Sequence, residues 1–143
     1  MKENKIGYTT GVFDLFHIGH LNILKKAKEM CDYLIVGVST DELVFSYKNK
    51  KPIIPYEERK KIVEAIRYVD EVVPQINRDK LEAQKQIRFD IMFVGDDWKG
   101  SKLFSATEKE FKKSGVEIIY LPYTKGTSST VLSETLRKIR DGA

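Results

Sequence analysis

The sequence predicts an α/β fold, a doubly wound sheet of about five parallel strands with helices on both faces. Short apolar, β-branched segments alternate with segments whose apolar residues recur every three or four positions, as strands alternating with helices do. Several strand segments are apolar throughout, which is typical of strands buried on both faces. Because parallel strands are joined by crossovers, usually helical, the alternation favours a parallel sheet with right-handed connections.

The predicted strands are Ile6 to Thr10, Tyr33 to Val38, Glu71 to Val73, Ile91 to Val94 and Val116 to Leu121. A helix between the first two is predicted from the spacing of Leu21, Leu24, Ala27 and Cys31. The next is predicted to carry Pro55 at its first position and one apolar face made of Ile62, Ile66 and Val69.

Three further helices complete the predicted pattern. One covers Asn77 to Arg88, and another is predicted to begin with a capping box formed by Ser105 and Glu108 and to end before Gly115. The last helix is marked by Leu132, Leu136 and Ile139.

Length and composition exclude several classes of protein. A chain of 143 residues, 41% apolar and 32% charged, is typical of one globular domain, here residues 1–143, rather than of a disordered or collagenous chain. The apolar segments are far shorter than the ~20 residues that span a bilayer, and the first residues lack an apolar signal core, so we expect a cytoplasmic protein without a membrane partner. The single cysteine, Cys31, is expected to be a buried, inert thiol.

The charge favours small anionic ligands over nucleic acid. Basic residues exceed acidic ones by only 25 to 21, and the two kinds are interspersed. A nucleic-acid partner is therefore not expected, whereas a few basic side chains can still converge on one cleft.

Unusual residues follow the strands at their carboxyl ends, the edge where open parallel sheets bind ligands. The first strand is followed by Gly11 to His20, the second by Ser39 to Glu42 and a basic loop, the fourth by Gly95 to Trp98, and the fifth by Pro122 to Thr130. The third, followed by Pro74 to Asn77, is less informative. The sequence thus predicts one site assembled from four strand ends.

His17 and His20 are the leading catalytic candidates. Being three residues apart at a helix start, they share one face, where both can donate hydrogen bonds to phosphate as charge develops on it. A pair that only completes a helix start is the alternative. A metal site with Asp14 is weaker because no third ligand stands at a recognisable spacing, and we predict none.

Other segments offer groups suited to phosphate or to a base. The fifth strand is followed by a run of hydroxyl side chains beside Gly126 and Lys125, more than the capping of one helix requires. Lys48 to Lys51 lie on a loop that either covers an anionic substrate or is simply solvated, and Arg67 either joins them or pins a helix end or a subunit contact. The Asp96, Asp97 and Trp98 cluster either contacts a base or forms a turn.

Four motifs resemble those of the cytidylyltransferases. The HxGH sequence at His17 to His20 resembles the signature of the nucleotidyltransferase superfamily, and Arg67 to Val72 match an RYVDEV segment. Gly95 to Trp98 and Thr124 to Thr130 are similar to the GDDW and RTxGISTT motifs of the glycerol-3-phosphate cytidylyltransferases. The likeness runs from about Ile6 to Ile139 and implies a Rossmann-like fold.

The resemblance implies Mg²⁺-dependent transfer of CMP from CTP to a small phosphorylated alcohol such as glycerol 3-phosphate, giving CDP-glycerol and pyrophosphate, in a homodimer with the RYVDEV region near the contact. It makes His17, His20 and Lys48 catalytic, and Lys48, Arg59 and Lys80 ligands of the acceptor. The implied nucleotide-binding residues are Val12, Phe13, Ile18, Gly19, Lys50, Arg67, Asp97, Trp98, Thr124, Gly126, Thr127, Ser128, Ser129 and Thr130.

Departures from the family motifs keep other readings open. Tyr123 stands where the motif begins with arginine, Val12 replaces a threonine, and the basic loop needs a one-residue insertion. The acceptor is therefore alternatively phosphoethanolamine or another polyol phosphate, and the nucleotide alternatively ATP. A module that binds a nucleotide without turnover is the alternative from a different class.

Overall fold

The computed structural model describes residues 4–95, 101–122 and 129–142. Within these ranges the chain forms five strands and six helices. Their order is β1 (Ile6–Gly11), α1 (Ile18–Glu29), β2 (Tyr33–Ser39), α2 (Asp41–Lys48), α3 (Tyr56–Glu64), β3 (Glu71–Gln75), α4 (Lys80–Ile87), β4 (Ile91–Gly95), α5 (Lys102–Lys113), β5 (Glu117–Leu121) and α6 (Ser129–Gly142).

The strands form one parallel sheet in the order β3-β2-β1-β4-β5. This confirms the predicted Rossmann-like α/β class and all five predicted strands. The chain lays β2 and β3 on one side of β1, then returns to lay β4 and β5 on the other. The direction of winding therefore changes between β1 and β4, and a crevice forms beyond the carboxyl ends of those two strands.

Side chains of alternate strand residues fill two cores, one on each face of the sheet. Leu34, Val36 and Val38 of β2 point to one face, where Leu24 of α1 and Val63 of α3 join them. The neighbouring Ile35 points to the other face. That second core also contains Tyr8, Phe89, Met92, Phe111 and Val116, and the side chains of α4 pack against it. No helix within the described ranges is long and apolar enough to cross a membrane.

One helix was not predicted. The α2 helix is short and buries only the adjacent Leu43 and Val44, so its apolar residues show no helical period. Its start is nevertheless encoded locally, since the Thr40 hydroxyl accepts a hydrogen bond from Leu43 N at 3.1 Å. Lys48, expected on a loop, is its last residue.

Several helix details were predicted wrongly. The capping residue of α5 is Ser101, whose hydroxyl accepts from Phe104 N at 3.2 Å, so Ser105 lies inside the helix and forms no capping box. In α3 the buried apolar side chain is that of Val63, whereas Ile62 is 43% exposed. That helix ends at Glu64, so Ile66 and Val69 lie beyond it, and Pro55 precedes its first residue.

Cys31 lies just after α1, not within it, and its side chain is half-buried. Its Sγ is 3.3 Å from the Ala27 carbonyl oxygen, and burial raises the thiol pKa. A Cβ at Gly7 would lie 2.6 Å from Phe93 Cε2 and 2.7 Å from Cys31 Sγ. Strand β1 and the end of α1 are thus in close contact only because position 7 carries no side chain.

Candidate functional site

A pocket of about 320 Å³ opens at the carboxyl edge of the sheet, above the crevice between β1 and β4. Gly11, Val12, Phe13 and His20 line it on the β1 side, and Gly95 lines it at the end of β4. The sequence predicted a site at this edge, and the pocket lies there.

The loop between β1 and α1 is bent into a backbone conformation that favours glycine. Phe13 and Leu15 have φ angles of +54° and +50°. Such angles cost roughly 1–2 kcal/mol per residue, so surrounding contacts must hold them. Phe13 is 7% exposed in the core, and both carboxylate oxygens of Asp14 accept backbone N–H groups, from Ile53 at 2.8 Å and from Ile54 at 2.9 Å. Asp14 therefore ties two loops together, which argues against the weaker metal hypothesis.

His17 and His20 are locked together at the start of α1. The Nδ1 atom of His17 accepts from Gly19 N at 3.0 Å, and the Nδ1 atom of His20 accepts from His17 N at 3.2 Å. The rings stack with centroids 4.0 Å apart. Because each Nδ1 is an acceptor, the proton of each neutral imidazole is assigned to Nε2. Both side chains are thereby presented as Nε2–H donors.

The surroundings keep both imidazoles neutral. Burial lowers the pKa of His17. Burial and then the adjacent His17 lower the pKa of His20 to about 4, with Asp14 acting weakly in the opposite sense. The Nε2 atom of His17 is buried, and no hydrogen-bond partner for it occurs among the residues described. A buried donor without a partner is costly, which is the arrangement expected where a ligand completes the bond.

Arg59 is buried beneath the site, only 1% exposed. Its guanidinium donates to the carbonyl oxygens of Ile54 (2.8 Å), Val12 (2.7 Å) and Ser39 (2.7 Å) and to a carboxylate oxygen of Asp41 (2.6 Å). These bonds fix the ends of β1 and β2 and the loop before α3. This geometry is that of a positioning residue and argues against the expected role as an acceptor ligand.

The opposite end of the pocket lies at β3. Gln75, Arg78 and Lys80 line it together with Tyr47 from α2. Arg78 lies over the Tyr47 ring, its Cζ 4.6 Å from the ring centroid. The Nζ atom of Lys80 lies 5.5 Å from the centroid of the Phe104 ring. Two cations therefore face the same cavity as His20.

Residues 8–134 match the sequence profile of a family described as cytidylyltransferase-like. This chain belongs to the cytidylyltransferase-like family. A glycerol-3-phosphate cytidylyltransferase of Bacillus subtilis strain 168 is 43% identical over 90% of this chain and 94% of its own length. An FAD synthase of Thermococcus sibiricus is 37% identical over 96% and 95%.

A solved structure gives the same fold. The lipopolysaccharide core biosynthesis protein of Thermoplasma volcanium GSS1 superposes with a TM-score of 0.70 at 25% identity, covering 87% of this chain and 99% of its own. The cytidylyltransferase-like architecture therefore extends over nearly all of the present chain.

The described part of this cytidylyltransferase-like domain brings together some of the predicted site residues. Val12, Phe13, His20 and Lys80 line the pocket. Gly19 is buried in the first turn of α1, and Ile18 beside it is 54% exposed. Lys48, Lys50 and Arg67 are exposed and are not among the residues lining this pocket.

The remaining predicted residues cannot be compared with the structure. Asp97, Trp98, Thr124, Gly126, Thr127 and Ser128 lie outside the described residues. Ser129 and Thr130 begin α6, but their side chains are likewise not described.

Sequence reasoning missed Tyr47, Gln75 and Arg78. The rule that ligands bind at the carboxyl edge of the sheet would have predicted all three as pocket residues, if it had been applied also to the end of the third strand and to α2. The signal was the pair of cations, Arg78 and Lys80, directly after an apolar strand.

Proposed function

We propose that this protein transfers CMP from CTP to glycerol 3-phosphate, forming CDP-glycerol and pyrophosphate. The observation that carries the proposal is the pair of neutral imidazoles at the start of α1, each with its Nδ1 held by a backbone N–H. His20 lines the pocket, and His17 stacks against it with a buried Nε2–H that has no partner among the described residues. The relative from Bacillus subtilis supports the choice of nucleotide and acceptor.

In the proposed reaction a phosphate oxygen of the acceptor attacks the α-phosphorus of CTP. The new O–P bond forms as the bond to the β-phosphate bridging oxygen breaks, and pyrophosphate leaves in line with the attack. His17 and His20 donate hydrogen bonds to the charge that builds on the phosphoryl oxygens, and the positive end of the α1 dipole adds to this stabilisation. In the proposed step both imidazoles act only as hydrogen-bond donors, and neither transfers a proton.

Other residues have proposed supporting roles. Lys48 and Lys50 neutralise phosphate charge, Lys80 binds the acceptor, and Arg67 contacts the nucleotide. Val12, Phe13, Ile18 and Gly19 form the nucleotide site next to the two histidines. The segments outside the described ranges complete it: Asp97 and Trp98 recognise cytosine, and Thr124 with Gly126 to Thr130 binds the triphosphate. For Arg59 we propose a positioning role instead.

Mg²⁺ is proposed as the cofactor, carried by the triphosphate. Among the described residues, no group of three or more His, Cys, Asp or Glu side chains is arranged to hold a metal ion, and no carboxylate lines the pocket. These residues do not fit a protein-built Mg²⁺ site. Mg²⁺ is commonly held mainly by substrate phosphates and water, where it offsets their negative charge.

We further propose a single nucleotidyltransferase domain acting as a homodimer in the cytoplasm, where CTP is available. The Arg67 to Val72 segment is proposed to lie near the dimer contact. It leads into β3, an edge strand of the sheet, and thus into the part of the fold that a second copy can reach.

A second candidate is transfer from ATP. It is favoured by the relative named FAD synthase, a name that denotes a product containing adenine. In that case the mechanism is the same and the base-recognising contacts differ.

The experiment is a matrix of CTP and ATP against glycerol 3-phosphate, phosphoethanolamine and FMN, with pyrophosphate release as the readout. We expect the highest kcat/KM for CTP with glycerol 3-phosphate, and for His17→Ala a kcat at least ~100-fold lower with a much smaller loss of CTP affinity. Faster turnover of ATP with every acceptor would favour the second candidate. CTP binding without turnover by the unaltered protein would identify a nucleotide-binding module.

A further inference from the structure

The β3 end of the pocket has no role in the reaction assigned so far apart from Lys80. Arg78 and Lys80 enter the cavity from the turn before α4 and from its first residue, and each lies over an aromatic ring that belongs to a different helix. A cation resting on a ring face loses part of its freedom to reorient. The two positive charges therefore have defined positions relative to the pocket.

This end of the pocket is strongly positive. Among the described lining residues, Arg78 and Lys80 are the arginine and the lysine, and no carboxylate lies with them. Asp79, between them in sequence, is used as the helix cap, since its carboxylate accepts from Glu82 N at 3.0 Å. Burial and then the neighbouring Arg78 lower the pKa of Lys80, in keeping with two cations held close together.

The strand order determines on which side of the reacting phosphorus these two cations lie. His20, in the first turn of α1, lines the pocket beside the end of β1, the central strand of the sheet. The proposed base and triphosphate segments follow β4 and β5, which lie on one side of β1. An in-line displacement places the attacking and leaving oxygens on opposite sides of the phosphorus. A leaving pyrophosphate on the β5 side thus requires the acceptor on the β3 side, where Arg78 and Lys80 lie.

We propose that Arg78 and Lys80 together bind the acceptor phosphate, and that Arg78 selects phosphorylated alcohols whose carbon chain carries no positive charge. The inference rests on the proposed transferase function. A guanidinium binds two phosphate oxygens at once, which orients the third for attack. An acceptor with an ammonium group two carbons from its phosphate brings that charge against the same two cations, whereas the hydroxyl groups of a polyol do not. The Tyr47 hydroxyl and the amide N–H groups of Gln75, whose Oε1 accepts from the Ser39 hydroxyl at 2.6 Å, line the pocket where such hydroxyl groups would lie.

The test compares Arg78→Gln with the unaltered protein, by pyrophosphate release with CTP and either glycerol 3-phosphate or phosphoethanolamine. We expect the KM for glycerol 3-phosphate to rise at least ~10-fold and the KM for CTP to change by less than about 2-fold. The ratio of kcat/KM for glycerol 3-phosphate to kcat/KM for phosphoethanolamine should fall by a similar factor. Arg78→Lys should recover part of the loss, because it restores the charge without the two-point contact.

Lys85→Gln is the matched control. Lys85 is an exposed cation of the same helix and lies outside the pocket, so this variant removes one positive charge without touching the acceptor. It should keep the KM values of the unaltered protein. Thermal unfolding of all three variants should coincide with that of the unaltered protein, since Arg78 and Lys85 are both exposed.

Each contrary result has a separate meaning. An unchanged KM for glycerol 3-phosphate in Arg78→Gln, or an equal rise in the KM for CTP, overturns the acceptor site. A raised KM with an unchanged acceptor preference overturns the selectivity. Absence of pyrophosphate release by the unaltered protein with CTP and every acceptor instead overturns the proposed transferase function, and the acceptor inference with it.

Discussion

The backbone at the start of α1 orients the rings of His17 and His20, and burial sets their protonation state. Each Nδ1 accepts a backbone N–H at the start of α1, which leaves Nε2 as the protonated nitrogen of each ring, and burial disfavours the charged form of both rings. The backbone thus orients both rings as the proposed phosphate donors. Sequence spacing was sufficient to predict the pair, whereas its protonation state depends on burial, which the spacing does not show.

The lowered pKa of His20 predicts a stability change with pH. In the unfolded chain His20 takes up a proton near pH 6.5, whereas in the folded protein it does so only near pH 4. Stability is therefore lost as the pH falls from about 6.5 towards 4, because the unfolded state binds more protons there. Between pH 7 and pH 5 we expect this residue alone to account for a loss of about 1–2 kcal/mol.

Urea unfolding of the unaltered protein and of His20→Asn at several pH values between 7 and 5 measures this contribution. The variant has no titrating ring at position 20, so its free energy of unfolding should fall less over the same interval. Parallel curves for the two proteins would show that His20 is not held neutral by the fold.

At the level of elements, three segments that are distant in sequence are joined by one arginine. Arg59 of α3 reaches the ends of β1 and β2 and the loop before its own helix, and Asp14 reaches that loop from the other side. Arg59 was expected to be a ligand of the acceptor phosphate because of the family resemblance. Its burial depends on packing between segments, which no local pattern encodes.

Arg59→Lys separates a positioning role from a ligand role. The lysine keeps the charge beside Asp41 but lacks the fork that reaches several carbonyl groups. We expect the free energy of unfolding, measured in urea, to fall by about 2–3 kcal/mol and kcat to fall with it, while the KM values for CTP and acceptor change alike. A selective rise in the acceptor KM at unchanged stability would instead support direct phosphate binding.

Lys61→Ala is the comparison for this variant. It removes an exposed cation of the same helix, so both stability and kinetics should stay close to those of the unaltered protein.

The elements that sequence patterns predicted well are those with a short run of apolar, β-branched residues or a strong helical period. All five strands are of this kind. The α2 helix has eight residues, and two adjacent buried ones provide no period to detect. The start of α5 was misplaced because Ser101 and Ser105 are both followed three residues later by a residue compatible with a helix, and only packing distinguishes them.

On the scale of the whole molecule, the topology determines where the site lies. Once alternating strands and helices predict a doubly wound sheet, the carboxyl edge follows, and the first and fourth strand ends do meet at the pocket. The contribution of the third strand end was not foreseen, because the strand order that brings β3 and α2 to the same cavity is a property of the assembled sheet.

The proposed homodimer predicts a mass near twice the 16.5 kDa of one chain. Sedimentation equilibrium over a range of protein concentrations measures this mass directly. A mass of one chain at every concentration, including those used for the activity assays, would contradict the dimer and leave the single-chain site as the functional unit.

The close approach of Gly7 to Cys31 makes the lone thiol a reporter of local opening. Since β1 and the end of α1 shield part of this half-buried sulfur, and these two elements flank the loop that leads to His17, an alkylating reagent should react faster when they separate. The rate of alkylation therefore measures how often β1 and α1 separate. The extent to which CTP slows alkylation measures how strongly a bound nucleotide holds these two elements together.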